Sequence, residues 1–273
     1  MLWHKAQGAG GLNRPAWDLS NASYDSVSFS MATQIANVQG LFFKSDGSKL
    51  YGIDRLSDTI YQYSLSTAWD VSTASYDSIS FNASAQGGAT TDFYIKADGT
   101  KVFITNAATD GIFAYTMSTA WNIGTASYDS VNLNVEPQDV EVQGLWFKPD
   151  GTKVYMVGQV SNSVHQYSLS TAWNLSTGSY DSVSLDVTSQ DGSPGAIVFK
   201  PDGTKLFVTG ADSDSVYQYS LSSAWDLSTA SYDSVSFSVA SEESNPVALA
   251  FRTDGRKFYV AGNTNDTVFQ YST

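Results

Sequence analysis

The chain contains no cysteine, only two histidines and few cations, and it lacks any apolar run near the roughly 18 residues that would cross a membrane as a helix. The first absence excludes disulfides and thiolate zinc sites. It leaves the compartment open, because a chain of 273 residues can bury roughly three quarters of its unfolded surface without such staples. Fourteen Lys and Arg stand against 27 Asp and Glu, a formal charge of −13. Neutralising a phosphate backbone needs clustered cations, so nucleic acid is not an expected partner. Histidine scarcity narrows the chemistry further: His4 lies in the opening segment, and His165 occupies a position held in the other copies by Tyr61, Phe113, Tyr217 and Phe269. No Gly-x-Ser-x-Gly elbow, His-Glu-x-x-His pair or phosphate-binding glycine loop occurs.

What is present is a repeat. Ala-Trp-(Asp/Asn) recurs every 52 residues at Trp17, Trp69, Trp121, Trp173 and Trp225. A fixed period of this size marks units that must stack on their neighbours to bury an apolar face. Within each copy apolar residues alternate at period two in four short runs, as at 143–148, 153–157, 163–169 and 180–185, separated by turn-forming residues. All five copies place Asp-Gly between the first two runs, at Gly47, Gly99, Gly151, Gly203 and Gly255. Glycine supplies the positive φ of that hairpin, and its replacement by Ala should cost roughly 1–2 kcal/mol on conformational grounds.

The chain begins with a fourth run at 24–30 and ends with a third at 267–272, so the two fragments complement one another. Pairing them would close a ring and remove both loose sheet edges. The expectation is an all-β, five-bladed β-propeller of four-stranded antiparallel blades over 16–273, closed by the N-terminal outer strand, monomeric, and preceded by a flexible lead over 1–15. An open superhelix or a ring shared between chains is the alternative.

The segments 147–157 (Phe-Lys-Pro-Asp-Gly-Thr-Lys-Val-Tyr-Met-Val) and 199–209 (Phe-Lys-Pro-Asp-Gly-Thr-Lys-Leu-Phe-Val-Thr) resemble the Tyr-Val-Thr-Asn repeat of lactonase-like and surface-layer β-propellers. The resemblance covers about half of each copy. It departs from the family pattern in having five long units, each with an inserted Trp-bearing connection. A looser similarity is to repeat arrays of surface-exposed bacterial and bacteriophage proteins, which implies an extracellular, cell-surface or virion location. Near-uniform copies are also what a consensus-built scaffold without a natural ligand would display.

Three candidate sites follow. The repeated Trp17, Trp69, Trp121, Trp173 and Trp225, each beside Asp or Asn and Ser/Thr, could stack sugars and form a lectin-like surface binding glycans or another protein. Packing of the connection onto the blade is the competing reading. Eleven of the 14 cations fall at the first hairpins, while the loops of the opposite face are acidic, so the two faces should carry opposite potentials. On the acidic face Gln34, Gln86, Gln138, Gln190 and Glu242 recur in register. With Glu141 they form a candidate channel-mouth set that could hold a divalent cation such as calcium, although no calcium-loop spacing occurs. Asp92 stands where the other copies have Gly40, Gly144, Ala196 and Ala248. The expected function is a non-enzymatic binding module. The alternative implied by the resemblance is a metal-dependent, lactonase-like hydrolase with its site at the channel mouth.

Overall fold

The computed structural model describes residues 15–273; the opening segment with His4, and all but the last residue of the expected lead, lie outside the described residues. Among the described residues the first strand is β1 (Ser23–Ser30), and four complete blades follow it. Blade 1 comprises β2 (Val38–Phe43), β3 (Lys49–Asp54), β4 (Thr59–Leu65) and β5 (Ala74–Asn82). Blade 2 comprises β6 (Thr90–Ile95), β7 (Lys101–Asn106), β8 (Gly111–Met117) and β9 (Ala126–Asn134). Blade 3 follows with β10 (Val142–Phe147), β11 (Lys153–Gly158), β12 (Ser163–Leu169) and β13 (Gly178–Asp186). Blade 4 is β14 (Pro194–Phe199), β15 (Lys205–Gly210), β16 (Ser215–Leu221) and β17 (Ala230–Ser238). The last sheet holds β18 (Pro246–Phe251), β19 (Lys257–Gly262) and β20 (Thr267–Ser272), completed on its outer side by β1. That pairing is antiparallel, with Val27 opposite Gln270 and Phe29 opposite Val268. Ring closure through the N-terminal strand is therefore as expected.

Each outer strand is more irregular than alternation implies. The invariant Tyr-Asp-Ser carries a bulge, with Ser26, Ser78, Ser130, Ser182 and Ser234 at φ near +58°. The bulge turns its Asp inward. Asp181 accepts hydrogen bonds from Lys153 Nζ (2.8 Å), Gln166 Nε2 (2.7 Å) and Ser168 Oγ (2.9 Å), tying three strands of the blade together. Asp25 makes the equivalent bonds to Lys257, Gln270 and Ser272, so the closing strand is held by the same node as a covalently continuous one. Burial raises the pKa of Asp25, Asp77, Asp181 and Asp233, but these partners together outweigh it and hold each carboxyl below its ordinary value.

The long connection between third and fourth strands folds back over the first hairpin. Trp173 N donates to Gly151 O (2.9 Å), and the indole lies over that glycine, which has φ +74°. Trp17 does the same with Gly255, and Trp69, Trp121 and Trp225 with Gly47, Gly99 and Gly203. The tryptophans themselves have φ between 62° and 66°. After each Trp, an Asp or Asn side chain caps a short 3₁₀ turn, and in four of the five the first N–H of that turn reaches the preceding blade: Ile123 N donates to Gln62 Oε1 and Leu227 N to Gln166 Oε1, for example.

Hairpin glycines therefore do more than permit a turn, because a methyl group at any of the five would overlap the indole of its own blade. The conformational cost expected above is a lower bound. Gly203→Ala should destabilise by ~2–5 kcal/mol, the sum of left-handed strain and overpacking, and Trp17→Ala by ~3–5 kcal/mol; urea denaturation followed by tryptophan fluorescence checks both.

Candidate functional site

The first strand of every blade lines the axis, and equivalent positions on β2, β6, β10, β14 and β18 form layers. Leu41, Phe93, Leu145, Ile197 and Leu249 make one such layer, each at most 5% exposed. The next residues along, Phe42, Tyr94, Trp146, Val198 and Ala250, are unequal in size. Small Val198 and Ala250 opposite Phe42 and Trp146 leave an axial cavity of about 170 Å³ on the hairpin side. Trp17, Trp69 and Trp121 line it together with Phe43 and Phe251, and no Lys, Arg, Asp, Glu or His does.

A second space of about 10 Å³ shares Leu41, Phe42, Trp146 and Leu249 with that cavity and is walled by Asp92. Its size is that of one water molecule. Asp92 Oδ2 accepts a hydrogen bond from Leu145 N (2.8 Å), and the carboxyl lies against Gly40 so closely that a side chain there would collide with Oδ1. Burial pushes the Asp92 carboxyl up to about 8, against the pull of the Leu145 and Phe93 amides. Near neutral pH it is mostly protonated. Trp146 borders both spaces, and its indole Nε1–H is buried without a hydrogen-bond partner among the described residues. A buried donor left unpaired in a cavity wall costs about 1–3 kcal/mol, which a ligand acceptor would recover.

The other candidate residues are placed differently. Gln34, Gln86, Gln138, Gln190 and Glu242 are not brought together as a ligand set; each accepts from the buried hydroxyl of Tyr63, Tyr115, Tyr167, Tyr219 or Tyr271. Glu141 lies 3.8 Å from Arg55 and beside Gln143, at the entry to β10. Acidic loop residues mostly staple backbone: Asp191 accepts from Ser193, Asp212 and Ser213 amides, and Asp139 from Glu141 and Ser161. Among the described residues no three His, Asp or Glu side chains converge as metal ligands.

The opposite face is not the positive surface expected from its composition. Ten of the eleven hairpin cations are paired, all but Arg256, as Lys148 with Asp150 (2.7 Å) and Lys153 with Asp181 (2.8 Å), and the pattern holds in all five blades. Trp17, Trp69 and Trp225 are buried, whereas Trp121 and Trp173 are half-buried. Three of the five share one axial cavity instead of forming separate pockets. Trp146 was not legible as a site residue, since an aromatic in a strand reads as core; the signal was a column in which the copies disagree, Phe42, Tyr94, Trp146, Val198, Ala250.

The Asp92 environment fixes a sign for pH dependence. Its folded pKa of about 8 exceeds the ordinary value, so between about pH 4 and 8 the folded state binds the extra proton and this group's contribution to stability falls as pH rises. Asp92→Asn should therefore gain melting temperature relative to the parent progressively from pH 4 to 8, with little difference at the acid end. Thermal melts of both proteins across that range test this.

No curated protein matches the chain. Among solved structures, a Bacteroides uniformis protein provisionally assigned as a 6-phosphogluconolactonase superposes with TM-score 0.51 at 11% identity, over 82% of this chain and 63% of that one. A functionally unknown protein from Desulfotomaculum acetoxidans gives 0.53 at 12% identity, over 85% and 81%. A second such provisional assignment, from Bacteroides fragilis, gives 0.50 at 13%, over 77% and 56%. At these identities the likeness is one of fold, and the chain spans under two thirds of the length of the two Bacteroides proteins. The model of the lactonase seven-bladed β-propeller family matches residues 93–273, which bears out the lactonase side of the resemblance. With that match over about two thirds of its length, this five-bladed chain belongs to the lactonase β-propeller family.

Proposed function

We propose that the chain hydrolyses a small, uncharged lactone held in the axial cavity, with Asp92 as general base and Trp146 as carbonyl donor. The observation that carries the reading is the conjunction, at one apolar cavity, of a buried carboxyl raised to about 8, an unpaired indole N–H and space for one water between carboxyl and cavity. Membership of the lactonase family supports the reaction class.

Ionised Asp92 takes a proton from the water as its oxygen attacks the lactone carbonyl carbon. Charge develops on the carbonyl oxygen, where a hydrogen bond from Trp146 Nε1 strengthens. The ring C–O bond then breaks, and the departing alkoxide recovers the proton from Asp92, giving the hydroxy acid. An apolar wall without Lys or Arg suits an uncharged ring and disfavours a phosphorylated one, whose charge would be buried unpaired. A non-catalytic receptor for the same ligand is the second reading, favoured by the single carboxyl lining these spaces.

Hydrolysis of a panel of unphosphorylated γ- and δ-lactones, with and without added divalent cation, separates the readings. Metal-independent turnover should rise with pH toward a plateau above about 8, vanish in Asp92→Asn, and fall ~10²-fold or more in Trp146→Phe, as for loss of one oxyanion donor. Binding without turnover in both parent and Asp92→Asn would establish the receptor. No binding of any lactone would remove both.

A further inference from the structure

Four of the five seams between blades share one glutamine bridge, and the fifth lacks it. At each of those four a glutamine on the third strand bridges two blades: its Nε2 donates to the bulge Asp of its own blade, and its Oε1 accepts the first N–H of the turn that follows Trp in the next. Gln62 joins Asp77 to Ile123 N, Gln166 joins Asp181 to Leu227 N, Gln218 joins Asp233 to Leu19 N, and Gln270 joins Asp25 to Val71 N. Between blades 2 and 3 the residue is Ala114. A second bridge is missing there too, although not there alone. Tyr51, Tyr155 and Tyr259 hydroxyls donate to the carbonyls of Trp121, Trp225 and Trp69, but blades 2 and 4 have Phe103 and Phe207 at that position, facing Trp173 and Trp17, so only the seam between blades 2 and 3 lacks both bridges.

Here the structure opens a cleft of about 360 Å³. Asp129 lines it, bonded to Lys101 (2.6 Å) and, among the described residues, to no amide; Leu175, which follows the lining residue Asn174, is 1% exposed, and its N–H has no partner among the described residues. Val131, Ala172 and the Trp173 ring supply apolar wall, and Lys96 Nζ stands 5.7 Å from that ring. We propose that this seam is a binding site for a primary carboxamide on an apolar or aromatic carrier, independent of the axial site. Its NH₂ takes the place of the glutamine donor on Asp129, and its C=O accepts from Leu175 N. A carboxylate of the same shape cannot do this, because it brings a negative charge to Asp129 and has no donor.

The four other seams supply the controls. Benzamide titrated into the ¹⁵N-labelled chain should shift the Leu175 amide resonance saturably, while benzoate leaves it unmoved. Ala114→Gln should place a glutamine in the cleft and weaken benzamide binding at least about tenfold, as loss of two hydrogen-bond partners implies; Gln62→Ala should create a second site, read at Ile123. N-acetylglutamine methylamide in place of benzamide distinguishes a peptide side chain from a free small amide as the source. A Leu175 resonance indifferent to benzamide up to its solubility limit would overturn the proposal, as would an equal response to benzoate. Should Ala114→Gln not fold, the contrast of benzamide with benzoate on the parent chain decides.

Discussion

The structure depends on covering sheet edges and seams with the same few side chains, copied around a ring. A four-stranded blade alone leaves an apolar face and two open edges. Each blade solves this by laying the post-Trp turn against the preceding blade, where a glutamine at four seams and a tyrosine at three meet its backbone groups. The Trp that reaches over Gly of the first hairpin anchors that turn, so hairpin conformation, aromatic packing and blade-to-blade contact are one coupled constraint. Closure adds only that β1 must enter the last blade as an ordinary fourth strand, and Asp25 gives it the bonds that Asp77 or Asp181 give theirs.

A scaffold this uniform makes its exceptions informative. Asp92, Trp146, Val198 and Ala250 break the layers around the axis and create an apolar cavity and an adjoining water-sized space that share the unpaired Trp146 indole, the smaller one walled by the Asp92 carboxyl. Ala114, together with Phe103, leaves one seam without either bridge and opens a cleft. Both departures remove packing or hydrogen bonds that the other blades retain. Local stability has been given up at the two places where a small molecule could restore it.

Architecture was legible in the sequence because the repeat, the Asp-Gly turns and the complementary ends are local or periodic signals. Asp92 stood out for the same reason, as one carboxyl in a column of glycine and alanine. Other features were hidden by three-dimensional partnership. Gln34 and its equivalents look like a ring of ligands, but each is occupied by a tyrosine hydroxyl 29 residues further along the chain. Lysines that suggested a basic face are neutralised by the bulge and hairpin aspartates, the former 28 residues beyond each lysine within a blade. The bulge itself, with serine at positive φ, has no residue-level warning beyond the sameness of Tyr-Asp-Ser in all five copies.

Ring closure is the claim on which the axis, the cavity and the seams all rest, and amide hydrogen exchange measures it directly. If β1 is the outer strand of the last blade, the β1 amides that bond to β20 exchange as slowly as their equivalents in β17, which occupies the same place in blade 4. Exchange of β1 at the rate of an unprotected chain, while β17 stays protected, would contradict the closed propeller.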